Sequence, residues 1–190
     1  TPAEFSWSMG LLGQYNFPLG VSVSGSYYAT PVELNYYSPG SIFTYDSIRV
    51  AFYRQNPGTF TSPIGECGNN GYSGLLDGGF WRFTPAGGVS PLPGNYHITA
   101  WMQNGLYSNT TPVPGVNSWT VVKRPNGVSP WALQGICNPA GATVNTPWVQ
   151  ADRLQLNSFS DAAIAVSTLP FPVEMLPLTA TPMGTFIQLG

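Results

Sequence analysis

His97 is the only histidine in the chain, so any catalytic arrangement that pairs a histidine with serine, cysteine or aspartate must be built on it. It lies between Tyr96 and Ile98 in a segment that predicts a strand, where a solvent-facing or turn-bonded imidazole is the simpler interpretation. The chain has no G-x-S-x-G elbow, H-E-x-x-H pair, Walker loop or G-x-G-x-x-G turn. Residues 71–74 (GYSG) are one spacing short of the elbow and are typical of a loop. We therefore expect no catalytic residue.

Carboxylic acids could still supply the pair that glycoside hydrolysis needs, because that pair is defined by distance in space and not by spacing in sequence. The same acids can instead pair with basic residues, and Asp46 and Asp77 lie where aspartate turns are common. Calcium takes about six to eight oxygen ligands, and no D-x-D-x-D-G run is present. We expect a non-enzymatic protein without a metal or cofactor. The eight acids are Glu4, Glu33, Asp46, Glu66, Asp77, Asp152, Asp161 and Glu174.

Six tryptophans and ten tyrosines raise the alternative of a carbohydrate-binding module, because aromatic faces stack on sugar rings while amide side chains bond the hydroxyls. Trp101 can face outward from its strand, and Trp131 and Trp148 lie beside prolines near strand ends. Core packing is the other interpretation of these aromatics. Asn109 begins the N-x-S/T sequon Asn109-Thr110-Thr111 in a loop-like stretch and is a candidate glycosylation site.

The start of the chain carries the clearest pattern. Phe5, Trp7, Met9 and Leu11 alternate with small residues, so an extended backbone places four large apolar side chains on one face. Burying them would contribute about 1.5 to 3 kcal/mol each before ordering costs. This assembly strand could add to a neighbouring subunit, or it could pair within its own sandwich.

Composition limits the class of protein. Charged residues make up 7% of the chain against a typical value of about 25%, whereas 43% of residues are hydrophobic and 14% aromatic. Such a chain folds, because disorder combines low hydrophobicity with high net charge and the net charge here is −2. The basic residues are too scattered to predict a nucleic-acid partner. They are Arg49, Arg54, Arg82, Lys123, Arg124 and Arg153.

Cys67 and Cys137 are the only cysteines, and a disulfide between them is the simplest prediction, with two buried free thiols as the alternative. Closing a loop of about 70 residues would stabilise the fold by roughly 4 kcal/mol in the chain-entropy model. A disulfide and a charge-poor surface favour the outside of a cell or the surface of a particle. No run of 18 apolar residues predicts a membrane span. Because the chain begins at Thr1, we expect a signal peptide to have been removed already, although loss of the initiator Met would look the same.

Short alternating runs bounded by Gly, Pro or Asn predict an all-β fold, with residues 161–168 as the one helix-compatible stretch, of one or two turns at most. A single-domain two-sheet β-sandwich is expected, with an open barrel as the alternative. Residues 92–100 (LPGNYHITA) resemble the turn into strand F of immunoglobulin-like sandwiches, although Ile98 stands where the immunoglobulin Cys would be, and a jelly-roll is equally open. The runs are Val21 to Tyr27, Ile48 to Tyr53, Phe80 to Phe83, Tyr96 to Met102, Trp119 to Val122, Thr143 to Val149, Leu154 to Leu156 and Thr185 to Leu189.

Together these patterns predict residues 1–14 as a strand extension, which a neighbour could receive as a donor strand, and residues 15–190 as the sandwich domain. The expected function is a structural subunit that assembles with copies of itself into an extracellular filament or pilus by strand complementation, by analogy with secreted pilus subunits. A jelly-roll capsid or particle-surface protein of a virus is one alternative. A lectin-like carbohydrate-binding module is the other.

Overall fold

In the computed structural model most of the described residues lie in β-strands, and none of them lies in a helix. Those residues are 2, 4–8, 13–36, 47–59, 64–66, 69–72, 74–87, 96–109, 119–125, 127, 130–138, 143–145, 147–167, 180–183 and 186–189.

Seventeen strands follow one another along the described residues. They are β1 (Glu4–Ser8), β2 (Gly13–Phe17), β3 (Gly20–Val23), β4 (Ser26–Ala29), β5 (Val32–Tyr36), β6 (Ser47–Tyr53), β7 (Ile64–Glu66), β8 (Asn69–Tyr72), β9 (Gly74–Leu75), β10 (Phe80–Ala86), β11 (Tyr96–Gln103), β12 (Trp119–Arg124), β13 (Thr143–Asn145), β14 (Trp148–Leu156), β15 (Asp161–Val166), β16 (Ala180–Met183) and β17 (Phe186–Leu189).

Two antiparallel sheets form the body of the protein. The first sheet has the strand order β1-β6-β10-β15-β12, with β9 paired to β15, and the second sheet has the order β13-β14-β11-β5-β2. Three separate two-stranded pairs are β3-β4, β7-β8 and β16-β17. The predicted all-β, two-sheet sandwich is therefore confirmed. The boundary expected after residue 14 falls inside β2.

The core lies between the two sheets and follows the period of two that strands impose. Along β11 every second residue is buried, so Ile98, Ala100 and Met102 point inward while the residues between them are half-buried. They meet side chains of the first sheet such as Val50 and Trp81 in one hydrophobic cluster. Trp81 also donates its indole N–H to the Thr30 main-chain oxygen at 2.9 Å, which satisfies the polar end of a fully buried ring.

The outer face of the first sheet carries a second, smaller core. Phe80, Val122 and Ala163 on three of its strands are buried beneath Tyr72 and Trp131. The Trp131 indole N–H donates to the Pro57 main-chain oxygen at 2.8 Å, so this ring is a packing residue at 5% exposure and not a ligand platform. The first sheet is thus covered on both faces at β10, β15 and β12, whereas Ser6 and Arg49 are exposed on the outer face of β1 and β6.

Residues 161–166 form the strand β15, so the prediction of helical turns there is wrong. All six residues are buried, because β15 lies between β10 and β12 and has packed layers on both faces. A strand covered on both sides has no need of a polar face, and its short apolar run can be mistaken for helix-compatible sequence.

One buried carboxylate organises the charges of the first sheet. Asp161 is fully buried on β15 and lies opposite Arg82 of β10 and Arg124 of β12. Its two oxygens accept from Arg82 at 2.7 and 2.9 Å, and Arg124 lies at 3.3 Å. The Arg124 guanidinium also stacks 4.3 Å from the centroid of the Trp131 ring. Both cations therefore depend on a single anion and on aromatic faces.

Asp161→Asn should lower the free energy of unfolding by about 2 to 4 kcal/mol, because it leaves two guanidinium groups without their common counter-charge. Glu4→Gln is the matched control, since it breaks the exposed pair that Glu4 forms with Arg49 at 3.5 Å and should cost less than about 1 kcal/mol. Urea denaturation of both variants measures the difference. Equal losses would contradict the assignment of Asp161 as the organising charge.

A lysine lies at the edge of the core between the two sheets. Lys123 of β12 is fully buried, and its ammonium donates to the Tyr96 hydroxyl at 2.6 Å and to the Ser158 main-chain oxygen. Tyr96 in turn donates to Ser158 at 2.6 Å, whereas the predicted turn before Tyr96 lies outside the described residues. Burial lowers the pKa of Lys123 to about 7.

Stability should rise with pH between about 7 and 10.5, because in this window the unfolded chain holds a proton on Lys123 that the folded chain has lost. Lys123→Met should remove this part of the slope and raise stability most at about pH 6, where the buried amine is charged. Thermal unfolding at about pH 6 and about pH 9 measures both effects. An unchanged slope in the variant would show that Lys123 is not the titrating group.

Candidate functional site

The predicted assembly strand begins as an edge strand of the chain's own sandwich. β1 pairs antiparallel with β6, with Phe5 opposite Val50 and Trp7 opposite Ile48. Because opposite residues share a face, Phe5 and Trp7 both point toward the second sheet. Met9 and Leu11 lie outside the described residues.

Two aromatic contacts join β1 to the second sheet. The Phe5 ring meets the buried Phe17 ring of β2 edge-on, with centroids 6.3 Å apart, and Trp7 donates its indole N–H to the Asn16 main-chain oxygen at 2.7 Å. Trp7 remains 41% exposed, whereas Phe5 packs against the main core. Phe5 is therefore the deeper anchor of the strand, and four of the five β1 residues are exposed.

The outer face of the second sheet differs from that of the first sheet, because it presents aromatic, amide and carboxylate side chains. The alternation of β11 and β14 places Thr99, Trp101, Gln150 and Asp152 on this face, and Glu33 of β5 lies on the same face opposite Thr99. This arrangement confirms the outward orientation of Trp101 that the sequence indicated.

An aromatic pocket of about 360 Å³ lies on this face, lined by Asn16, Pro31, Trp101 and Trp148. Trp101 and Trp148 are diagonal neighbours, because Trp101 pairs with Gln150 and Trp148 with Gln103. Such neighbours lie about 7 to 8 Å apart, with their Cβ atoms somewhat closer, which is within reach of aromatic rings. The Trp101 indole N–H donates to the Gln150 side-chain oxygen at 3.2 Å, which fixes the orientation of the ring.

Two carboxylates lie beside the aromatic pocket. Glu33 accepts from the Gln14 amide at 2.5 Å, and Asp152 is bonded by Thr99, Gln150 and Asn138. Burial raises the pKa of Asp152, and the nearby charge of Glu33 raises it further, although the three hydrogen bonds act in the opposite direction. Glu33 can accept hydrogen bonds from a hydroxylated ligand, whereas one oxygen of Asp152 is buried.

His97 lies on the same outer face as the carboxylates, one position before Ile98 on β11. Partial burial lowers its pKa, so the imidazole is neutral at neutral pH. It pairs in register with Asn35. The structure places it in a strand, as the sequence predicted.

Asn109 is exposed, and its side chain already has partners. Its amide donates to the Leu75 main-chain oxygen, and its oxygen accepts from the Asp77 main-chain N–H at 3.2 Å. A glycan on this nitrogen would compete with the bond to Leu75, and glycosylation at Asn109 stays a prediction.

Cys67 lies outside the described residues, so the link between Cys67 and Cys137 also stays a prediction, while no described residue is a free cysteine.

Sequence reasoning missed Asn16 and Pro31 as pocket residues. Asn16 belongs to β2, and Pro31 directly precedes β5. The main-chain oxygen of Pro31 accepts from the Trp101 main-chain N–H at 3.0 Å. Neither segment shows a long alternation of apolar and polar residues. The two residues lie near Trp148 only because β2, β5, β11 and β14 are neighbours in one sheet. The proline beside Trp148 was the one available signal.

Comparison with known proteins adds no family to these observations. No family model, curated protein or solved structure matches the chain. In the part of the chain that the structure describes, no helix is long and apolar enough to cross a membrane.

Proposed function

We propose that this protein is a non-enzymatic structural subunit that assembles with copies of itself by exchange of β1. In this mechanism β1 of one subunit leaves its own β6 and pairs with β6 of the next subunit. The observation that carries the proposal is the position of β1, which among the described strands pairs with β6 alone and exposes four of its five residues.

The contacts that hold β1 contribute about the same free energy whether β1 stays in its own subunit or pairs with the next subunit. The pairing of β1 with β6, the Phe5 to Phe17 contact and the Trp7 to Asn16 hydrogen bond can form between two copies as well as within one. An exchanged strand therefore loses no contact type, and its association cost is offset only by contacts that the exchanged state adds. The apolar side chains of Met9 and Leu11 are the natural source of such added contacts.

The low charge supports an extracellular or particle-surface setting for such a subunit. All six basic residues are described, and Arg82, Lys123, Arg124 and Arg153 engage partners inside the fold. Few cations remain to form screened ion pairs at an interface, so a strand-mediated contact would vary little with salt. A homopolymer in the form of a filament or pilus is the assembly that we propose, and a closed capsid-like shell would use the same exchange.

Phe5→Asp should abolish assembly, because a charge against Phe17 at the deepest contact of β1 destabilises the docked strand both within one copy and between copies, and so leaves β1 undocked. Ser6→Asp is the matched control, since Ser6 lies on the same strand with its side chain exposed on the opposite face. Electron microscopy and size-exclusion chromatography of undenatured protein provide the measurement. Filaments in the control and monomers in the Phe5 variant are expected. Closed shells would favour the viral alternative, and a monomeric wild-type protein would rule out self-assembly.

A cysteine-mixing experiment tests the exchange itself. Ser6 and Arg49 lie opposite each other across β1 and β6, and Arg49 also lies opposite Thr84 of β10. A tagged Ser6→Cys subunit mixed with an untagged Arg49→Cys subunit should give a covalent heterodimer on oxidation, because opposite Cβ atoms are about 4.5 to 5.5 Å apart.

The control for this experiment is Thr84→Cys mixed with Arg49→Cys. It should remain uncrosslinked, because β10 lies between β6 and β15 inside the sheet and is not free to exchange. If the Ser6 mixture also stays uncrosslinked while the Ser6→Cys, Arg49→Cys double variant crosslinks internally, β1 remains in its own sandwich and the proposal fails.

A further inference from the structure

We propose that the aromatic pocket on the second sheet, lined by Asn16, Pro31, Trp101 and Trp148, binds a neutral saccharide. This activity is separate from self-assembly, because the described lining of the pocket includes no residue of β1.

The first argument is the contrast between the two outer faces. On the first sheet, the outer face of β10, β15 and β12 is buried beneath a second core that includes Tyr72 and Trp131. On the second sheet, Trp101 and Trp148 remain half-exposed on neighbouring strands, although large aromatic rings normally pack inside. Two partly exposed tryptophans beside a pocket are typical of a ligand site.

The second argument is the chemistry of the lining. A pyranose ring has apolar C–H faces and a rim of hydroxyl groups. The rings of Trp101 and Trp148 can stack on these C–H faces. The hydrogen bond from the Trp101 indole N–H to Gln150 holds the Trp101 ring in one orientation. The Asn16 side chain is exposed at the pocket, and Glu33, which lies opposite Asn16 on β5, supplies an acceptor for hydroxyl donors nearby. Aromatic walls with a few orienting polar groups match a sugar better than a wholly apolar ligand.

The third argument is charge, and it selects a neutral sugar. None of the six basic residues points outward from the second sheet. Arg153 is the only one on its strands, and it is buried, with its guanidinium bonded to the Gly135 main-chain oxygen at 3.2 Å. His97 is neutral at neutral pH because burial lowers its pKa. An anionic saccharide would therefore meet Glu33 and Asp152 with no cation to balance them.

The test begins with the full chain on an array of neutral glucans, mannans, galactans and xylans together with uronate and sulfated oligosaccharides. The best neutral glycan is then titrated by isothermal calorimetry against the wild type and single variants. Trp101→Ala and Trp148→Ala should each weaken binding by at least about tenfold, as expected for loss of an aromatic anchor. Trp101→Phe should retain part of the affinity, because a stacking ring remains.

Tyr27→Ala is the matched control, because Tyr27 is a 65% exposed aromatic on the separate β3-β4 pair. It should bind the glycan as the wild type does. Far-UV circular dichroism and thermal unfolding of each variant separate loss of the pocket from loss of the fold, and Trp148→Ala near the start of β14 is the variant least disruptive to the sheet.

Several results would overturn the proposal. These are binding only to acidic glycans, binding to no neutral glycan, and neutral-glycan binding that survives both tryptophan-to-alanine changes. A proline-rich peptide copied from residues 168–177 (TLPFPVEMLP) is titrated in parallel, since paired aromatics also bind proline-rich segments. Binding of that peptide without any neutral glycan would assign the pocket to protein recognition instead.

Discussion

The edge of β6 that β1 covers is the constraint on which the rest of the structure depends. β6 contributes Ile48, Val50 and Phe52 to the main core, so its position cannot change without loss of packing between the sheets. It lies next to β10 on one side and next to β1 on the other. If β1 were absent, the main-chain groups along β6 would lie at an unpaired sheet edge, which is a template for another strand. The fold therefore requires a strand at this place, while the physics of pairing does not specify which copy supplies it.

The opposite side of the sandwich is closed by a different device. The segment around residues 131–136 connects the two sheets, since Ala132 exchanges main-chain hydrogen bonds with Lys123 of β12 and Ile136 does so with Leu154 of β14. Beneath this segment lie Lys123 and Arg153, two buried cations whose hydrogen bonds go mainly to carbonyl and hydroxyl oxygens. One side of the sandwich is thus closed by residues 131–136, which bond to both sheets, and the other side is closed by β1.

β6, β10, β11 and β12 were accessible from sequence, because each is a short run of apolar, β-branched or aromatic residues, whereas β2 and β5 were not among the predicted strands. Turns that lie inside a continuous pattern were not accessible from sequence. The run Val21 to Tyr27 predicted one strand and is a hairpin, because Ser24 and Gly25 both take positive φ angles, of 50° and 84°. Two such residues form the tight turn whose twist matches that of the flanking strands. The run Thr143 to Val149 divides between β13 and β14 in a similar way.

By itself the sequence determined the all-β class and the strand-forming start of the chain, because both depend on local alternation and composition. It also indicated that Trp101 faces outward and that His97 lies in a strand. Only the tertiary structure decided that β15 is a central strand, that Asp161 holds two arginines, and that Asn16 and Pro31 meet Trp101 and Trp148 in one pocket. Those facts arise from which strands are neighbours, and a strand's neighbours are chosen by the packing of whole sheets, which leaves no trace in the spacing of residues along the chain.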